Sequence, residues 1–332
     1  MKFQRTSEMV LSLLATGILL VCPLAALSQT EDRSPQHRVA PWNVKAVSSR
    51  KLEIGGATIQ VDLASETLAL DTASILLWIQ DAAQAVTSYY GRFPVSRVRI
   101  LIVPVPGARG IVQGTTWGDV GGVRGFTRIR LGQYTTEKDL SDDWKMTHEL
   151  VHMAFPSVPD NEHWMEEGLA TYVEPIARIQ SGKLSAKQVW GDMVRGMPQG
   201  EPNPDDRGLN RTHTWGRTYW GGAMFCLVAD VTIRQETDNR KGLQDALRAI
   251  VAAGDTIDKE SPLLEALQIG DRATGTSVLT DMYKKWSYSP EEIDLYGLWG
   301  KLGIKPESDG IAFKPDAPLA GIRKSIASGG SN

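Results

Sequence analysis

The chain has 332 residues, 42% hydrophobic and 23% charged, which is ordinary for a globular protein and supplies one large core or two moderate ones. Its net charge of −3, with Lys and Arg scattered rather than clustered, excludes nucleic acid as a partner, because phosphate binding needs a basic face.

The N-terminus reads as an export signal. Lys2 and Arg5 form a basic start, Met9 to Leu27 is apolar apart from Ser12, Thr16 and Gly17, and Pro23 breaks the run. Ala26-Leu27-Ser28 then offers a small-x-small cleavage site before Gln29. The competing reading of residues 1–28 is an uncleaved anchor, since the run is about long enough to span a bilayer. A lipoprotein reading of Cys22 is opposed by the bulk of Val21 before it. Cleavage predicts a periplasmic or secreted protein without stable membrane insertion. Only Cys226 would then remain, in the apolar run AMFCLVADV, so no internal disulfide forms and the thiol reads as a core residue.

Residues 29–49 are polar and contain Pro, and read as a flexible leader. KLEI and TIQVDL flank Gly55-Gly56 as a β-hairpin, and Asp71 caps a helix to about Tyr90 with Ile75, Trp78, Ala82 and Tyr89 on one face. RVRILIVPV (97–105) and GFTRIRL (125–131) read as strands, and the Gly-rich stretch 107–125 between them as a long loop. From Asp142 onward helices dominate; in SPEE (289–292) Ser is the cap and Pro the first helical residue. Residues 321–332 read as a flexible tail. The expectation is a single α+β domain over 50–320, sheet-rich in 50–135 and helical in 136–320.

His148 and His152 in THELVH lie four apart, on one face of a helix and one turn from each other, close enough to share a metal ion. Imidazole nitrogens suit Zn²⁺, which takes three protein ligands and a water in catalytic sites. Glu149, beside the first His, is placed to take a proton from that water. Leu150, Val151 and Met153 make the helix apolar, so two His and a Glu within it need partners, and a metal supplies them. The candidates for a third ligand are His163, Glu166, Glu167 and Glu174; Val158 stands where the metzincin pattern requires His, which excludes that pattern.

THELVH followed by WMEEGLATYVE (164–174) resembles the gluzincin metallopeptidases, especially the aminopeptidase N-type and glycyl-aminopeptidase-like branches. The resemblance spans roughly residues 97–255. It implies a thermolysin-like catalytic unit, with an N-terminal mixed sheet followed by a mainly helical part that carries the third zinc ligand. It implies one Zn²⁺ per chain, held by His148, His152 and Glu167, the Glu before Gly168. Trp164, Ala170, Tyr172 and Glu174 match around it, and Glu166 stands where those families often have Asn, as a neighbour of the ligands or an outward group. TYWGGAMF resembles the later helix that opens Y-x-x-G-A, which implies that Tyr219 donates to the oxyanion.

Two departures matter. Fourteen residues separate His152 from Glu167, a shorter connection than is usual in the aminopeptidase N-type enzymes. The stretch that holds a substrate's free amine there is absent; the matching loop reads GGVRG (121–125), with Gly121 and Gly122 as candidate substrate contacts and no carboxylate. Family folds imply that GFTRIRL is the edge strand on which an extended peptide lies. His163 and His213 are candidate supporting residues of the site, and the tryptophans at 117, 164, 215 and 220 candidate walls of its cleft. The reading is an exported zinc-dependent peptidase acting on a peptide or protein, with exo- and endo-cleavage and the oligomeric state left open. Its rivals are a non-catalytic binding or scaffold protein with a structural zinc site, and a zinc hydrolase of a non-peptide amide.

Overall fold

Gly55 and Gly56 take φ of +58° and +83°, values that L side chains avoid, and so reverse the chain between β1 (Ser48–Ile54) and β2 (Ala57–Leu63). A computed structural model of the chain describes residues 40–329; the expected signal segment 1–28, leader residues 29–39 and the last three residues lie outside that range. α1 (Thr72–Tyr90) starts at Asp71, whose side chain accepts from the Ser74 amide at 2.7 Å, and ends at Gly91 in the left-handed region. It returns the chain so that β3 (Arg97–Val105) pairs parallel to β2. β4 (Ile111–Val120) and β5 (Val123–Gly132) complete a mixed sheet of order β1-β2-β3-β5-β4.

The Gly-rich stretch expected to be a loop is therefore largely a strand, and β4, not GFTRIRL, forms the sheet's edge: β5 is flanked by β3 and β4. The glycines that suggested a loop serve close packing instead. A Cβ on Gly114 would fall 2.5 Å from the Glu149 carboxylate, and one on Gly118 would meet the Ile257 carbonyl. Ile59, Val61, Ile100, Ile102, Ile129 and Leu131 fill the inner face and are all buried.

The helical part follows: α2 (Glu137–Ser141), α3 (Lys145–His152), α4 (His163–Gln180), α5 (Ala186–Gly196), α6 (Gly222–Glu236), α7 (Leu243–Ala252), α8 (Leu263–Thr274), α9 (Val278–Trp286) and α10 (Leu295–Leu302). A small hairpin, β6 (Ile304–Glu307) with β7 (Gly310–Phe313), precedes α11 (Ala320–Ser328). None of the described helices is long and apolar enough to cross a membrane.

Three local expectations are corrected. Residues 289–292 are not helical; α10 starts only at Leu295, where Asp294 accepts from the Gly297 amide at 2.8 Å, while Glu291 is drawn into an ion pair with Lys285 at 2.6 Å. The expected tail forms most of α11, because Ile322 and Ile326 are buried and Arg323 donates to the Leu302 and Gly303 carbonyls at 2.9 and 2.7 Å. Residues 40–49 are held rather than loose. Trp42 packs edge-on against Trp117 at 6.1 Å, Arg99 Nη2 donates to the Val44 carbonyl at 2.9 Å, and β1 already begins at Ser48.

α4 and α6 pack in backbone contact. A Cβ on Gly168 would land on the Gly222 backbone, and one on Gly222 would meet the Trp164 carbonyl, so the two helices touch main chain to main chain. Gly168→Ala is expected to cost roughly 1–3 kcal/mol by forcing the helices apart. A urea midpoint lowered to match, with an unchanged m-value, checks this.

Candidate metal centre and catalytic cleft

α3 carries the HELVH segment. Its exposed N-terminal amides are met by the Asp143 carboxylate, which accepts from the Lys145 and Met146 amides at 3.0 Å each and places negative charge at the positive end of the helix dipole. Met146, Leu150 and Val151 are fully buried. The opposite side of the same helix presents His148 and His152, their rings 4.8 Å apart and nearly perpendicular.

Glu167, on the first half of α4, closes the group. Its Oε2 lies 3.1 Å from His148 Nε2 and 3.6 Å from His152 Nε2, and one ligand atom from each of the three residues falls within 4.8 Å of the others. Among the described residues this is the one cluster of three or more such groups that could hold a metal ion. The donor chemistry fits a divalent cation. Burial holds the His152 pKa below the usual imidazole value, which favours the neutral, ligating form. Burial alone would raise Glu167, but the adjoining rings of His148, His152 and His163, with hydrogen bonds from the first and last, hold its carboxyl well below the usual range, so the carboxylate is an anion. Two imidazoles and one carboxylate are a three-ligand set that suits Zn²⁺.

Glu149 projects beside the cluster and is buried. Burial raises its pKa, opposed by the neighbouring His152 ring and a hydrogen bond from Thr116, whose Oγ1 donates to Glu149 Oε2 at 2.7 Å. A carboxylate held in this way is a stronger base than one in water.

Tyr219 arrives from a π-helical turn, Arg217–Gly221, that leads into α6; such turns recur at functional sites. The turn is anchored by Arg217, buried, in an ion pair with the equally buried Asp206 at 2.7 Å and hydrogen-bonded to the Gly200 carbonyl. The phenol ring stacks parallel to His148 at 6.2 Å, with Trp215 5.5 Å from its centre. Burial, and the neighbouring Glu167 carboxylate after it, raise the phenol's pKa, so it keeps its proton as a donor.

The other sequence candidates divide. His163 Nδ1 sits 2.6 Å from Glu166 Oε2 and its Nε2 3.2 Å from Glu167 Oε1, so both residues belong to the ligands' surroundings. The Glu166 carboxylate, followed by that of Glu167, pushes His163 up to about 10. His213 is exposed and makes no hydrogen bond, ion pair or ring contact. Gly121 and Gly122 form the β4–β5 turn, about five residues or ~16 Å along the strand from Thr116, and Gly121 backs onto Trp42. The strand positions that do meet Glu149 are Gly114 and Thr116, hidden from a sequence reading that treated 107–125 as a loop.

Beside His148 and Tyr219 opens a cleft of about 740 Å³, walled by Trp144, Trp215 and Trp220 and floored by Glu174 and Arg178. Trp117 instead lies against Trp42 and Phe126, and Trp164 is buried with its indole N–H on Asn210 at 2.6 Å.

Neither a protein-family model nor a curated protein sequence matches the chain. Solved structures do. An aminopeptidase N family protein from Idiomarina loihiensis is 15% identical with a TM-score of 0.56, over 82% of this chain and 53% of that one. An M1 zinc metallopeptidase from Deinococcus radiodurans is 15% identical with a TM-score of 0.46, over 74% of this chain and 52% of that one. A mutant of the Deinococcus enzyme bound to a Tyr-Ser-Ala substrate is 13% identical with a TM-score of 0.47, over 75% and 53%. The structural neighbours are described as an aminopeptidase N family protein and as M1 zinc metallopeptidases, at identities that carry the fold alone, and the chain spans about half their length.

Purified protein is expected to hold one zinc per chain by elemental analysis, with His148→Ala, His152→Ala and Glu167→Ala each losing it and His213→Ala keeping it. Chelation should lower the melting temperature of the wild type and leave those three ligand variants unmoved.

Proposed function

We propose that the chain is an exported zinc-dependent peptidase in which residues 1–28 direct export, His148, His152 and Glu167 hold the metal, Glu149 is the general base and Tyr219 the oxyanion donor. The observation that carries this reading is the convergence of five groups from three elements: a three-donor cluster, a buried carboxylate beside it and a protonated phenol across it. A site built only to hold structural zinc has no use for the last two, and usually closes its fourth position with protein. His163, the nearest further donor, has both ring nitrogens occupied by Glu166 and Glu167.

When bound, zinc supplies Lewis acidity, polarising a substrate carbonyl and making water more acidic. The chain's own residues do the rest. Glu149 takes a proton from the attacking water; its raised pKa lets it hold that proton and deliver it to the leaving nitrogen. Tyr219, stacked beside His148 and Trp215, directs its O–H toward the carbonyl oxygen as negative charge develops there. The cleft beside His148 gives a peptide side chain an aromatic-walled place to lie.

A mixed peptide library incubated with the protein and read by mass spectrometry tests this. The wild type should cut and its cut positions separate exo- from endo-cleavage, while Glu149→Ala should bind zinc and cut at least a hundredfold more slowly. Tyr219→Phe should lower kcat by about 10²–10³ without loss of metal. Zinc bound by the wild type and Glu149→Ala alike with no cut by either would contradict the proposal.

A further inference from the structure

Thr127 and Thr116 form a polar pair in an otherwise apolar stretch of the sheet. They face each other across β5 and β4, and the row they end runs inward through Ile100 and Val61, both buried. Thr127 has no exposed surface, so its hydroxyl needs an internal partner, and its Oγ1 lies 3.0 Å from Thr116 Oγ1. Thr116 Oγ1 in turn lies 2.7 Å from Glu149 Oε2 and 3.1 Å from the Glu149 carbonyl. A carboxylate only accepts, so the Thr116 proton points at Glu149, the closer and charged acceptor. The Thr127 proton must then point at Thr116. Donation runs one way, from sheet to base.

The third member is an absence. Gly114, two residues before Thr116 on the same face, leaves the space that the Glu149 carboxyl occupies: an added Cβ would come within 2.5–2.8 Å of its Oε1, Cγ and Cδ. Gly114 admits the carboxylate and Thr116 holds one of its oxygens, which leaves the other to work on water.

We propose that Thr116, supported by Thr127 and by the space at Gly114, is the positioning residue of the general base. The proposal rests on the peptidase reading. A base held by a hydroxyl from an edge strand keeps one orientation without neutralising its charge, as a lysine or arginine in that place would.

The test compares Thr116→Val, Thr116→Ser, Thr127→Val and Gly114→Ala with the wild type on a peptide the wild type cuts, with zinc content and melting temperature measured for each. Thr116→Val should keep one zinc per chain and its KM, while kcat falls about ten- to a hundredfold, the effect of losing one hydrogen bond to a charged group. Thr116→Ser should restore kcat to within a few-fold, and Gly114→Ala should reduce kcat with zinc still bound. Thr127→Val should fall between Thr116→Val and the wild type. Wild-type kcat in Thr116→Val, or equal loss in the Ser and Val variants, overturns the proposal, as does a loss that follows zinc content. All of those outcomes require an active wild type and leave the peptidase reading standing. A wild type that cuts nothing overturns both.

Discussion

The contact between Gly168 and Gly222 is the constraint on which the rest of the site depends. Helices normally stand 8–10 Å apart because side chains separate them. Here α4 and α6 touch through backbone, and the residues flanking that contact are two to which the proposal gives roles: Glu167 precedes Gly168, and Tyr219 lies three positions before Gly222. The phenol comes near Glu167 and stacks beside His148 because nothing larger than hydrogen stands between the helices. A glycine after the donor glutamate is thus a packing requirement of the site as well as part of a motif.

The second support is the sheet edge. α3 lies under β4 and β5 with its apolar side buried and its polar side turned to α4, so a single eight-residue helix supplies two donors and the base. Burial does different work on each. It lowers the His152 pKa and raises that of Glu149, and it would raise Glu167 were that carboxylate not surrounded by His148, His152 and His163. A His152 ring biased toward its neutral form, an anionic Glu167 and a strengthened Glu149 base therefore follow from one buried location with unequal partners.

Much of this was legible in the chain itself. The hairpin at Gly55-Gly56, the capped helix α1 and the strand 97–105 each carry a local signal in turn residues, caps or apolar runs, and each forms where expected. That His148 and His152 share a face was legible because spacing within a helix fixes which side chains lie together, whereas Glu167 and Tyr219 were indicated only by the resemblance of the segments that hold them; the structure gathers the first three within 4.8 Å and sets the Tyr219 ring beside His148. What local pattern misses is decided by packing at a distance. β4 resembles a loop because Gly114 and Gly118 must stay small for Glu149 and for the Ile257 backbone, and only the fold shows those neighbours. The same omission misplaced the sheet edge. α11 and the seated segment around Trp42 were missed for a like reason: the surfaces that order them, the Leu302–Gly303 carbonyls and the face of Trp117, are far away in sequence or were themselves misjudged.

Anomalous diffraction at the zinc edge from crystals of the metal-loaded protein tests the central claim most directly. The account expects one peak, bonded to His148 Nε2, His152 Nε2 and a Glu167 oxygen at about 2.0–2.2 Å, with no fourth protein ligand and with the Glu149 carboxylate and Tyr219 hydroxyl on the open side. A peak closed by a fourth side chain such as His163, or no peak between α3 and α4, would contradict it.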